Sequence, residues 1–236
     1  MSIAQNTAAI LEKIHRAAIA VGKDPATITL CAATKMNHAD RVKEAIAAGI
    51  TCCGENRVQE LTEKLAADAY KGAAVHFIGH LQTNKVKQVV GKVDLIQSVD
   101  SLRLLEAIEK EASRQEIVQD ILLEVNIAGE ESKSGFSLDE LWQLLPEITH
   151  FHHIRVLGLM TIPPICQNSG DNDKFFQEMY NLSVDITAKK YDNIRVRFLS
   201  MGMSDDFEDA IRCGSNMVRI GTAIFGARDY GISNQK

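Results

Sequence analysis

Short apolar or β-branched runs alternate along this chain with longer segments whose apolar residues recur at helical spacing. The first segment carries Ile3, Ile10, Ile14, Ala17, Ala18 and Val21 on one helical face, and Gly22 with Pro25 ends it. The run Ile28-Thr29-Leu30-Cys31-Ala32-Ala33-Thr34 reads as a strand buried on both faces, the pattern of a parallel sheet. Further strands are predicted at Thr51–Cys53, Val75–Ile78, Leu95–Val99, Ile121–Val125, Val156–Met160, Val196–Leu199 and Met217–Ile220. Helices are predicted near Ala39–Ala48, Val58–Ala69, Thr83–Val90, Leu102–Arg114, Leu138–Ile148, Lys174–Lys190 and Asp205–Cys213. Ser137 with Glu140 forms a capping-box pattern at the start of one of them.

Strands joined by helices throughout allow either a closed barrel or an open doubly wound sheet. An open sheet gathers its functional residues at one switch point. Here polar or glycine-rich residues follow nearly every strand: Lys35, Gly54-Glu55-Asn56, Gly79-His80, Asn126, Met160-Thr161, Ser200-Met201-Gly202 and Arg219-Ile220-Gly221-Thr222. The expectation is therefore an α/β fold, a single parallel (β/α)8 TIM barrel with an N-terminal helix. The length of 236 residues is close to the roughly 250 of such barrels. No linker or repeat interrupts the pattern, so one domain is expected over residues 1–236.

In such a barrel the C-terminal ends of all strands meet around one pocket. Lys35 at that mouth would be partly desolvated, which lowers a lysine pKa and favours imine formation with an aldehyde. Taken alone, it is better explained as a lysine snorkelling to solvent. The loops after the last two strands add weight, because barrels frequently bind phosphate there. Small residues let backbone N–H groups approach an anion, and hydroxyls donate to it. Ser204 is better read as a helix cap, with Asp205 and Asp206 complementing the helix dipole. The phosphate expectation thus rests on Ser200, Gly202, Gly221 and Thr222. Arg219 shares a strand face with Gly221. Its guanidinium would donate to a ligand ring nitrogen or carboxylate, or pair with Glu55 or Glu124. His80 is a candidate proton donor or a helix cap. The combination points to a ligand that bears a phosphate and forms a Schiff base.

Charge and cysteines narrow the field. A net charge of -5 gives no electrostatic case for nucleic acid or an anionic membrane. No apolar stretch is long enough to span a bilayer, and no basic region followed by an apolar run opens the chain, so a cytoplasmic protein is expected. Of five cysteines, only Cys52 and Cys53 are close in sequence, and adjacent strand residues face opposite ways. That suits neither a redox pair nor a zinc site, so reduced thiols and no metal are expected. His152-His153 falls at the opposite end of the barrel with no third ligand nearby, and Trp142 reads as core.

Several segments together resemble the pyridoxal phosphate homeostasis protein family, itself similar to the barrel domain of alanine racemases. They are Thr34-Lys35, Gly54-Glu55-Asn56-Arg57-Val58-Gln59-Glu60, His76 through Lys85, Glu124-Val125-Asn126, Lys133-Ser134-Gly135, Gly158-Leu159-Met160-Thr161, Leu199 through Ser204, and Val218 through Gly226. The resemblance spans nearly the whole chain. It implies the fold-type III architecture, with pyridoxal 5′-phosphate (PLP) held by Lys35 as an aldimine. It also implies a phosphate held by Ser200, Gly221 and Thr222, Arg219 near the pyridine nitrogen and Asn56 near the ring. The chain departs from relatives at Met36-Asn37-His38 and at Arg57, a position often aromatic.

Two functional classes follow from the resemblance. A racemase needs acid–base groups on both faces of the substrate carbanion. In alanine racemases the second is a tyrosine from an additional C-terminal β-domain, for which ten residues after Gly226 leave no room; Tyr230 is the tyrosine nearest the site in sequence. Arginine beside the ring nitrogen would also weaken PLP as an electron sink. The expectation is a non-catalytic PLP carrier serving vitamin B6 homeostasis, monomeric, with PLP-dependent apo-enzymes as candidate recipients. The alternatives are a racemase-like enzyme and, less favoured, a Schiff-base aldolase on a sugar phosphate.

Overall fold

The structure, a computed structural model, describes residues 1–130 and 132–226. Strands β1 (Thr29–Ala33), β2 (Cys52–Glu55), β3 (Ala74–Phe77), β4 (Leu95–Val99), β5 (Gln119–Glu124), β6 (Ile154–Met160), β7 (Ile194–Ser200) and β8 (Met217–Ile220) pair in chain order. All pairs are parallel, and β8 returns to β1 to close the barrel. Helices α1 (Ile3–Ala20), α2 (Ala39–Ala47), α3 (Val58–Ala66), α4 (Leu102–Arg114), α5 (Leu138–Ile148), α6 (Asp173–Lys189), α7 (Phe207–Arg212) and α8 (Thr222–Phe225) surround it. Helix α1 packs on α2, α7 and α8.

Strand periodicity explains two separate cores. Successive strand residues face opposite sides, so Leu30 and Ala32 join Cys53 and the helix faces in the outer core. Cys31 and Ala33 point inward with Cys52, Ile78, Leu95, Leu122, Met160 and Met217. Cys52 and Cys53 do face opposite ways, as expected from their adjacency. The capping box at Ser137 and Glu140 is present, and Trp142 packs half-buried against the outer core. His153 Nδ1 lies 3.0 Å from Glu109, a surface pairing. No helix among the described residues is long and apolar enough to cross a membrane.

Two expectations need correction. The segment between β3 and β4 is a 3-10 helix, Thr83–Gln88, and not an α-helix, because only Val86 in it is buried. One inward residue cannot anchor an amphipathic α-helix, whose stability comes from a packed face. The helix after β7 starts at Phe207 with Asp206 at the cap position, two residues later than predicted, and Ser204 does not cap it.

Register shifts between β6 and β7 separate Val156, opposite Ile194, from Gly158, opposite Phe198. Gly158 sits at φ +146°, and a Cβ there would stand 1.8 Å from the Phe198 carbonyl oxygen. Only glycine lets the two backbones approach this closely. Gly158→Ala should therefore lower unfolding free energy by about 2 kcal/mol or more in a urea titration. A change below about 0.5 kcal/mol would contradict this reading of the bulge.

Candidate functional site

At the mouth of the barrel, Lys35 occupies a tight turn. The Asn37 N–H donates to the Thr34 carbonyl at 3.1 Å, and Met36 between them has φ +60°. A four-residue turn with positive φ at its third position is the type II pattern, normally met by glycine. Its neighbours hold it. Thr34 Oγ1 donates to Glu55 Oε2 at 3.0 Å, the Met36 N–H donates to Glu60 Oε2 at 2.7 Å, and Asn37 Nδ2 donates to the Lys35 carbonyl.

Behind the turn lies a buried ion pair. Lys64 Nζ of α3 donates to Glu55 Oε2 at 2.5 Å, to Glu60 Oε2 at 3.1 Å and to the Thr34 carbonyl at 2.8 Å. Glu55 is fully buried, and its other oxygen accepts from the N–H groups of Asn56 and Arg57. Lys64 escaped the sequence reading. Its signal was position, since it falls three residues after Leu61 on the inward face of α3.

On β8, Arg219 points inward and is 5% exposed. Its guanidinium donates to Ser200 Oγ at 2.6 Å and to the Thr161 carbonyl at 2.8 Å. Neither carboxylate considered for it forms a salt bridge with it: Glu55 is taken by Lys64, and Glu124 acts through space. Burial lowers the Arg219 pKa, while Cys31, Glu124 and Asp206 raise it. Ser200 Oγ donates onward to Gln97 Oε1 at 2.7 Å, and Gln97 Nε2 lies 2.9 Å from His76 Nδ1. A polar chain thus crosses the barrel interior from Thr161 to His76, and the Ser200 hydroxyl is engaged in it. Gln97 and His76 were not expected here, although both lie on inward strand positions by alternation.

Lys35, Gly221 and Thr222 line one small cavity with Ala33, Asn37, Phe225 and Gly226. A Cβ on Gly221 would press to 3.3 Å against Ala33 Cβ and the Ala33 carbonyl oxygen, narrowing that space. Gly202 has φ +93°, and a Cβ there would meet Ala210 Cβ at 2.6 Å, so glycine lets its loop settle onto α7. Its carbonyl accepts from the Arg219 N–H at 3.0 Å. The Asp206 carboxylate, which would oppose an anion, is turned to the Met203 N–H and to Asn172 Nδ2. Asn56 lines a separate cleft with Arg57, His80 and Lys85, and its Oδ1 is buried without a hydrogen-bond partner. His80 Nδ1 lies 3.0 Å from Asp100 at the exposed rim, away from any helix-capping role. Tyr230 lies outside the described residues.

These residues suit a phosphate-bearing aldehyde. An amine, a glycine-lined wall, a hydroxyl and a buried guanidinium occur at the ends of adjacent strands β1 and β8.

Comparison with known proteins gives the same direction. The profile of the family described as alanine racemase, N-terminal domain, matches residues 2–229. The pyridoxal phosphate homeostasis protein of Aquifex aeolicus is 41% identical over 230 residues, covering 98% of this chain and all of that one. PipY of Synechococcus elongatus, solved with PLP bound, superposes with a TM-score of 0.82 at 29% identity over 95% of this chain and 100% of its own. Alanine racemase of Clostridium difficile shares the fold at a TM-score of 0.71 and 14% identity, with 92% of this chain matching 56% of that one. The chain belongs to the pyridoxal phosphate homeostasis protein family, within the class of alanine racemase-like barrels.

Two outcomes follow from the site's electrostatics. Lys64→Met leaves Glu55 buried and uncompensated, so unfolding free energy should fall by about 3–5 kcal/mol. The double variant Glu55→Gln/Lys64→Met should recover much of that loss; equal destabilisation by both would refute the pairing. Glu124, 7% exposed, is pushed up to about 7 by burial and by Asp100, against Arg219 and His80. Its folded pKa exceeds the ordinary 4.5, so the folded state binds the extra proton and stability falls as pH rises from about 4.5 to about 7. Glu124→Gln should therefore gain on the wild type across that window, by up to about 3 kcal/mol at its upper end. A difference independent of pH would contradict the shift.

Proposed function

We propose that this chain binds pyridoxal 5′-phosphate at the barrel mouth and holds it in reserve, contributing to vitamin B6 homeostasis without a reaction of its own. The observation that carries this reading is the meeting of Lys35 with Gly221 and Thr222 in one cavity. When bound, the cofactor supplies an aldehyde that condenses with a primary amine and releases water. Lys35 is the amine in reach of that mouth. Gly202, Gly221 and Thr222 offer backbone N–H groups and a hydroxyl for the phosphate. In the present arrangement Ser200 serves by holding the Arg219 guanidinium, which would approach the ring nitrogen. The buried Asn56 Oδ1 is an acceptor left for the ring periphery or for water.

Storage is favoured over catalysis by the guanidinium. A buried arginine donating to the ring nitrogen keeps it unprotonated and leaves the ring a weaker electron sink. PipY, a relative of this chain, has been solved both with PLP and without it. In this reading the chain acts as a single-domain, cytoplasmic monomer over residues 1–236, and its recipients are apo forms of PLP-dependent enzymes.

Replacing Thr222 with Val removes a hydroxyl donor at small cost in volume. PLP retention in equilibrium dialysis should weaken about 10- to 100-fold, the loss expected of one hydrogen bond to a charged group. Undiminished affinity would move the phosphate site elsewhere. Racemase assays on common amino acids should stay at background in the PLP-loaded protein. Turnover that disappears with Lys35→Ala would instead establish the racemase-like alternative.

A further inference from the structure

Three sulfur- and nitrogen-bearing side chains meet inside the barrel, outside the cavity at its mouth. Cys31 on β1 and Cys52 on β2 are register partners, and His76 follows on β3. All three are buried, and one atom of each lies within 4.8 Å of the others. Cys52 Sγ is 3.4 Å from His76 Nδ1. Around a tetrahedral zinc, with Zn–S near 2.3 Å and Zn–N near 2.0 Å, that edge is about 3.5 Å. Gly54, next inward on β2 after Cys52, leaves the room this needs. A Cβ at Gly54 would stand 2.7 Å from Cys31 Sγ.

A second observation lies at the border of this group. Gln97 Nε2 lies 2.9 Å from His76 Nδ1, 3.2 Å from Met217 Sδ and 3.9 Å from Cys31 Sγ. Two of the three proposed ligands, His76 and Cys31, thus face one amide that borders the group. Turning the amide over presents Oε1 to the group in place of Nε2, as an oxygen ligand from its border, and Nε2 can then donate to Ser200 Oγ.

We propose that Cys31, Cys52 and His76 form a binding site for a thiophilic divalent d10 cation, zinc(II), within the barrel. The donor set is two sulfurs and one imidazole, a three-ligand combination zinc takes with its fourth position left to an oxygen ligand. Two thiolates neutralise the ion, so the complex enters the interior without net charge, beside Arg219, the register partner of Cys31. Binding as two thiolates releases the proton of each thiol to solvent. The expectation that adjacent Cys52 and Cys53 make a poor metal pair holds for those two. The partner of Cys52 is Cys31, across the strand boundary.

The test uses the full chain, stripped with a chelator and free of PLP, so its result is independent of the cofactor reading. Zinc(II) titrated against a chromophoric chelator should bind with one tight equivalent. X-ray absorption at the zinc edge should show two sulfur neighbours near 2.3 Å and nitrogen or oxygen near 2.0 Å. No tight equivalent, or a shell of nitrogen and oxygen alone, would overturn the proposal. Cys31→Ala/Cys52→Ala should lose at least 100-fold in zinc affinity, while Cys53→Ala, altered on the outer face of the same strand, should keep it. Wild-type affinity in the double variant would also overturn it. If that variant fails to fold, the absorption spectrum of the wild type decides.

Discussion

The mouth of this barrel depends on the buried ion pair between Glu55 and Lys64. It is out of solvent, and its lysine also grips the Thr34 carbonyl, one residue before Lys35. Removing one partner of such a pair strands a charge in the interior, which costs far more than losing an exposed ion pair such as Arg155–Asp120. Glu55 ends β2, Lys64 lies on α3 and Thr34 follows β1. One cluster therefore ties two strands and a helix to the turn that carries the amine. The positive φ of Met36 persists because this cluster over-determines it.

A second constraint runs through the barrel itself. Interiors of such barrels are filled mainly with apolar side chains, yet here Arg219, Ser200, Gln97 and His76 form a connected polar chain. Each buried polar group needs a partner in a low-dielectric interior, so the members fix one another's positions. Arg219 is thereby aimed with a guanidinium that retains donors beyond the two it spends. The same chain ends at His76 beside two thiols. The proposed cofactor site, through Arg219, and the thiol cluster consequently share one set of hydrogen bonds.

The barrel was legible because its two periodicities are clean. Every strand and nearly every helix falls within a few residues of its predicted place, and the seventeen-residue α6 differs from its predicted span by one residue at each end. What failed was local. The segment Thr83–Gln88 has turn-forming spacing but only one buried residue, a distinction that packing makes and sequence does not. Ser204 looked like a cap, but Asp206 reaches back to the Met203 N–H and sets the helix start itself. Of the candidate site, Lys35, Gly221 and Thr222 do come together, because strand ends β1 and β8 are neighbours only once the barrel closes. Asn56 lies in a neighbouring cleft. The partners of Arg219 were out of reach, since choosing Ser200 and the Thr161 carbonyl over Glu124 depends on side-chain depth within the barrel.

In the proposed site Lys35 is the amine that takes the aldehyde. The most direct measurement is borohydride reduction of the PLP-loaded chain, followed by mass spectrometry of its peptides. A reduced adduct is expected on the peptide carrying Lys35, and none elsewhere at stoichiometric level. An adduct on Lys64 or Lys85 with Lys35 unmodified, or no adduct at all, would contradict it.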